Sequence, residues 1–66
     1  MIVRINGSPE EVRDRITAAE LVTERGLNPE AVVIEVNRRI IERENWDETV
    51  LSVGDSVELV SFVGGG

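Results

Sequence analysis

Apolar and polar positions alternate from the first residue. Met1, Val3 and Ile5 fall on one side of a strand over residues 1–5, with Ile2 and Arg4 on the other. Asn6-Gly7 follows, the strongest short-range signal for a tight hairpin. A returning strand is expected over about residues 9–15. Its only apolar positions are Val12 and the adjoining Ile16, set among Pro9, Glu10, Glu11, Arg13 and Asp14. Proline and dense charge belong on an edge strand, where they discourage association with other chains. Thr17 and Glu20 have the spacing of a capping box, which predicts a helix over residues 18–25. Ala18, Leu21, Val22 and the stem of Arg25 share its inward side. Gly26 is placed to end the helix in the left-handed conformation, and Leu27 to fold back as the apolar contact after it. Residues 28–30 read as loop.

The second half has more strand character. Val32, Ile34 and Val36 face one way in a strand over residues 31–36, Asn37-Arg38 makes a turn, and residues 39–41 form a short fourth strand. Residues 42–49 are polar around Trp46 and predict an irregular or 3₁₀ turn. Leu51 is expected to plug the core, and Val53-Gly54-Asp55 to turn into a last strand over residues 56–63. On that strand Val57, Leu59 and Ser61 alternate with Glu58, Val60 and Phe62, so Val60 and Phe62 face out if Val57 and Leu59 face the helix. The order is strand, strand, helix, strand, strand, strand. The helical crossover is long enough to bring the last strand parallel to the first. The expected class is α+β: a β-grasp, ubiquitin-like, with a mixed sheet of four to five strands on one helix. The first and last strands, the most apolar, belong at its centre. Residues 1–63 form a single domain and Gly64, Gly65 and Gly66 a flexible tail.

Composition narrows the function. A 66-residue chain with 41% apolar residues can bury one small, efficient core. No stretch approaches a membrane span and no basic-then-apolar leader opens the chain, so a cytoplasmic location is expected. Cys, His, Lys and Tyr are absent. That removes disulfides, thiolate metal sites, a thiol nucleophile and the commonest general base, and argues against an enzyme. The net charge of −6 repels nucleic acid and anionic membranes and suits a partner with a basic docking face. All seven cations are arginine. A chain with an activated C-terminus would gain from lacking amines, but an arginine-favouring genome composition is the better account. Glu42, Glu44, Asp47 and Glu48 lack metal-ligand spacing and read as a solvated loop.

The glycine tail offers a different kind of chemistry. Without Cβ atoms, a slender segment can enter a channel closed to other residues. Three extended residues reach roughly 10 Å beyond the folded body. The carboxylate of Gly66 is then the group a partner enzyme could seize. Glycine runs also occur as linkers and disordered termini.

Four segments give the chain a family resemblance: Val36-Asn37-Arg38-Arg39-Ile40-Ile41; Arg43 and Trp46 in Arg-x-x-Trp spacing; Leu51-Ser52-Val53-Gly54-Asp55-Ser56-Val57; and Phe62-Val63-Gly64-Gly65-Gly66. In this order they resemble the ubiquitin-like sulfur carriers, most closely the thiamine-biosynthesis (ThiS) family, over the whole length. Arg38 and Glu42 depart from the family's usual Gly and Pro, and three terminal glycines replace two. The molybdopterin synthase small subunit also ends in Gly-Gly, but its members tend to carry Pro just before, where this chain has Val60-Ser61-Phe62-Val63.

The resemblance implies that Gly66 is adenylated and converted to a thiocarboxylate that donates sulfur for the thiazole ring. It implies an adenylating, E1-like enzyme that supplies ATP and magnesium, a sulfur donor protein and thiazole synthase as partners. The isolated chain is expected to be a monomer that binds no metal or cofactor itself. Val60 and Phe62, with Ile2 and Ile41, are the candidate docking patch. Trp46 is expected as a lid on the core, Arg43 to pair with Glu44, Asp47 or Asp55 or to rim the interface, and Asp55 to stabilise its turn. The competing classes are a ubiquitin-like binding module that is never activated and a small acidic adaptor or antitoxin.

Overall fold

The computed structural model describes residues 1–62; the tail Gly64, Gly65 and Gly66, and the expected last residue of the final strand, Val63, lie outside them. Strands β1 (Ile2–Ile5) and β2 (Ser8–Glu11) precede helix α1 (Ala18–Glu24), and β3 (Val32–Val36), β4 (Arg39–Ile40) and β5 (Ser56–Ser61) follow it. They form one sheet in the order β2-β1-β5-β3-β4. β1 pairs parallel with β5, and every other pairing is antiparallel. This is the expected β-grasp, with β5 at its centre between β1 and β3. Alternation places Val3, Ile5, Val32, Ile34, Val57 and Leu59 on the helix side, where they are buried with Ile16, Ala18, Leu21, Val22, Trp46 and Leu51. No helix among the described residues is long and apolar enough to cross a membrane.

Both tight turns are of the mirror-image kind that suits the strands' twist. Asn6 and Gly7 have φ of 51° and 85°, and Asn37 and Arg38 have φ of 52° and 72°. Asparagine tolerates this region, and here its side chain also extends the ladder. Asn6 N–H donates to Val57 O at 2.8 Å, continuing β1. Its side chain then does what the next residue's backbone would do: Oδ1 accepts Leu59 N–H at 2.9 Å and Nδ2 donates to Leu59 O at 3.3 Å. Asn37 mirrors this on the other side of β5. Its N–H donates to Ser56 O at 2.7 Å and its Oδ1 accepts Ser56 N–H at 3.0 Å.

The Gly-Asp turn joins the same network. Asp55 accepts Asn37 Nδ2 at 3.0 Å on Oδ1 and Ser52 N–H at 2.8 Å on Oδ2. Asp55 therefore reaches backwards to close its turn, and it ties the β3–β4 turn to the start of β5. Gly54 has φ of 83°, which a side chain would strain.

Helix α1 has seven residues and depends on its ends. The capping box is complete: Glu20 N–H donates to Thr17 Oγ1 at 3.1 Å and Thr17 N–H donates to Glu20 Oε1 at 3.0 Å. At the other end Gly26 N–H donates to Thr23 O at 3.0 Å and Leu27 N–H to Val22 O at 3.2 Å, a full Schellman motif. Leu27 packs against the core as expected.

Four local expectations need correction. β2 ends at Glu11, not near Arg15. Ile16 has to enter the core, and the chain bends into it through Arg15 at φ 66°. The stem of Arg25 is not inward; its guanidinium makes two bonds to Glu10, at 2.8 and 3.1 Å, tying the edge strand to the helix end. Pro29–Ala31 is a 3₁₀ turn, because Asn28 Oδ1 accepts Glu30 N–H at 2.9 Å and Pro29 fits the first turn. β3 consequently starts at Val32, and β4 ends at Ile40.

Two predictions follow from the caps and clamps. Asn6→Gly keeps the left-handed turn but leaves Leu59, 9% exposed, without its backbone partners. We expect a loss of about 1–3 kcal/mol in urea unfolding. The bond from Thr17 N–H, with Arg13 nearby, lowers the Glu20 pKa from the ordinary 4.5. A depressed carboxylate contributes stability that is present above its unfolded pKa and lost as pH falls through the folded one. Melting temperatures from pH 6 to pH 3 should therefore fall less steeply for Glu20→Gln than for wild type.

Candidate functional site

The described part of the chain ends on a fixed point. Ser61 pairs with Val32, and Phe62 N–H donates to Ala31 O at 2.7 Å. Whatever follows Phe62 therefore leaves from one end of the central strand. Around that end the sheet's outer face is apolar. Phe62 is 58% exposed and Val60 49%, and Val60 lies opposite the half-buried Val33. Val60 and Phe62 share this face because Val57 and Leu59 occupy the other.

The other two candidate docking residues are not brought to this place. Ile2 is 48% exposed on the same face, but β1 is parallel to β5 and Ile2 O accepts Gly54 N–H at 2.8 Å. Gly54 precedes β5, so at about 3.3 Å per residue Ile2 stands some 20–25 Å from Phe62. Ile41 follows Ile40, whose partner is the outward Glu35, and so turns to the helix side. There it is half-buried and packs against the core, with its N–H bonded to Ile34 O at 2.9 Å.

Arg43 and Trp46 serve the scaffold. Trp46 is 5% exposed and its Nε1 donates to Ile41 O at 2.9 Å, which makes it the expected lid. It sits on the 3₁₀ turn Arg43–Glu48. Arg43 takes none of its expected partners. Its guanidinium donates to Pro29 O at 3.3 Å and lies 3.7 Å from Glu30, joining the two 3₁₀ turns. The sequence signal for that pairing is weak because the partners are 14 residues apart and only the fold joins them.

A separate open cleft of about 520 Å³ lies between β2 and the end of α1, lined by Glu10, Val12, Arg13, Glu24 and Arg25 among others. Its arginines are committed to carboxylates within the chain. Arg25 holds Glu10 in a two-bond pair that lowers the Glu10 pKa, and Arg13 pairs with Glu24. The exposed apolar side chains Val60 and Phe62 stand at the end of β5, away from this cleft.

The ThiS family model matches residues 3–66. The chain belongs to the ThiS family. This is the family that the four sequence segments resemble. A ThiS crystal structure from Geobacter metallireducens superposes with a TM-score of 0.86 at 35% identity, covering 100% of both chains. The sulfur carrier protein ThiS of Bacillus subtilis is 33% identical, over 98% of this chain and 100% of that protein. A thiazole synthase of Magnetococcus marinus is 33% identical over 66 residues, and this chain spans 20% of its length. In that relative a ThiS-like segment and a much longer remainder share one polypeptide.

Seen in ThiS terms, the shared motifs have a mechanical meaning. Asn37 and Asp55 fasten the start of β5, Leu51 and Trp46 seal the core beneath it, and Arg43 braces the loops. Trp46→Phe should lower stability by about 1–3 kcal/mol through the lost bond to Ile41 O. Urea unfolding measures the loss.

Proposed function

We propose that this ThiS-family chain is a co-substrate that carries sulfur on the carboxyl group of Gly66 and delivers it for thiazole formation in thiamine biosynthesis. The observation that carries the reading is the family match through residue 66 together with a central strand after which Phe62, the last described residue, sits at the edge of an exposed apolar face. The chain supplies a handle and a docking face, and the chemistry resides in its partners.

A carboxylate is a poor electrophile. An adenylating partner overcomes this when a Gly66 carboxylate oxygen attacks the α-phosphorus of ATP and pyrophosphate leaves. Magnesium and the nucleotide belong to that enzyme's site. Sulfide, HS⁻, delivered by the donor then attacks the acyl carbon and expels AMP, and its proton is lost to solvent. The product is a thiocarboxylate and no electrons change hands. The thiocarboxylate is anionic and nucleophilic at neutral pH, so the chain needs no cysteine. The glycines give the tail the slimness to enter two different enzyme sites.

Thiazole synthase is the final acceptor in this reading. Support comes from the Magnetococcus marinus relative, a thiazole synthase that contains a segment like this chain. Val60 and Phe62 form the docking patch, with Val33 beside Val60 as its floor. Ile2 and Ile41 have no part in it.

Intact-mass analysis of the chain expressed beside its native neighbours tests the reading. The expected result is a mass gain equal to replacement of one terminal oxygen by sulfur. Removing Gly66 should abolish the gain while leaving the melting curve unchanged. Phe62→Ala should slow loading by about tenfold or more, the usual cost of losing an aromatic anchor. A chain that never gains the mass is a binding module only, and a Phe62→Ala chain loaded at the native rate removes the docking role.

A further inference from the structure

The outer face of the sheet is not uniformly apolar. One ladder step in from Val33 and Val60, Glu35 lies directly opposite Glu58. Exposed Ile40 on β4 flanks Glu35. Like charges directly opposite one another destabilise a sheet. Among the described residues no arginine forms an ion pair with either carboxylate. The nearest cation on this face by register is Arg4, opposite Ser56, and its guanidinium donates to Gly7 O at 3.1 Å. Elsewhere three of the seven arginines, Arg13, Arg25 and Arg43, hold carboxylates. A repulsive pair has therefore been left in the middle of the open face, beside the apolar end that carries the tail.

We propose that this row is the electrostatic half of the docking surface, and that it receives a basic, arginine- or lysine-bearing patch of thiazole synthase. The proposal rests on the docking reading above and adds the chemistry of its partner. Two observations converge on it. The face is continuous, with Phe62, Val60 and Val33 at one end and Glu35, Glu58 and Ile40 adjoining. The chain carries a net charge of −6, so its field attracts a basic surface from a distance. The acidic row then fixes which end of that surface meets the tail, since a slipped register would put the cation against Val60 and Phe62. The apolar end governs how long the complex lasts, and the acidic row governs how fast and in which orientation it forms.

The test uses the full chain and thiazole synthase from the same organism, immobilised, with association and dissociation rates read at 50 and 300 mM salt. Glu35→Gln with Glu58→Gln should lower the association rate at low salt by about tenfold and flatten its salt dependence. The same variant should melt at or above the wild-type temperature, because the repulsion is gone. A purely structural role for the pair would not give that combination. Phe62→Ala should instead speed dissociation and leave the salt dependence intact. Glu44→Gln with Glu48→Gln removes the same charge from the 3₁₀ turn and should leave association near wild type. If it slows association equally, net charge alone is at work and the proposed row is overturned. The row is also overturned if Glu35→Gln with Glu58→Gln associates like wild type while Phe62→Ala dissociates faster. If none of the variants changes binding, the docking face itself is wrong.

Discussion

The structure depends on how β5 is held. It is the central strand, it carries the tail-proximal residues, and its parallel neighbour β1 pairs with it at only Arg4–Ser56 and Ile5–Val57. Two asparagines make up the shortfall. Asn6 stands in for the missing continuation of β1 along Leu59, and Asn37 completes the last rung of β3 at Ser56. Each works because it occupies the left-handed first position of a tight turn, with its side chain bonded to β5. One residue type thus makes the turn and fastens the strand. Asp55 adds a third tie by holding Asn37 and Ser52 together at the start of β5.

A well-anchored strand leaves its outer face free of any duty to the core. Val57 and Leu59 secure β5 to the core, so Val60 and Phe62 need not contribute to it and are exposed. Such an exposed pair beside a tail is costly for solubility and useful for docking. The ion pairs that Arg13, Arg25 and Arg43 make support the scaffold. Arg25 to Glu10 and Arg13 to Glu24 clamp the edge strand to the helix, and Arg43 to Glu30 clamps the two 3₁₀ turns. The Glu35–Glu58 step stands apart from that pattern.

Much of this was legible in the sequence because the decisive signals are local. Asn6-Gly7, the Thr17–Glu20 capping box, Gly26-Leu27 and the alternation from Val57 to Phe62 each act over a few residues, and each stands in the structure as read. The misreadings concern what local pattern cannot see. Residues 12–15 look like more strand until the need to bury Ile16 bends the chain. Arg25 has the right spacing to lie inward, yet Glu10, 15 residues earlier, captures it. Ile2 has the right face and the wrong end, because strand polarity decides where it stands. Ile41 has the right neighbourhood and the wrong face. Asn28 looked like loop because a single 3₁₀ turn leaves no periodic trace.

The parallel run of β1 and β5 has a consequence for anything joined to the front of the chain. The Met1 amine is bonded to Val12 O at 2.8 Å and lies 3.3 Å from Asp14, at the pole where β5 begins. An affinity handle, a reporter or an entire enzyme appended there would hang from the rear of the molecule. The new amide would keep one N–H for Val12 and surrender only the charge that faces Asp14. Cargo towed from one pole would therefore leave Val60 and Phe62 at the other uncrowded.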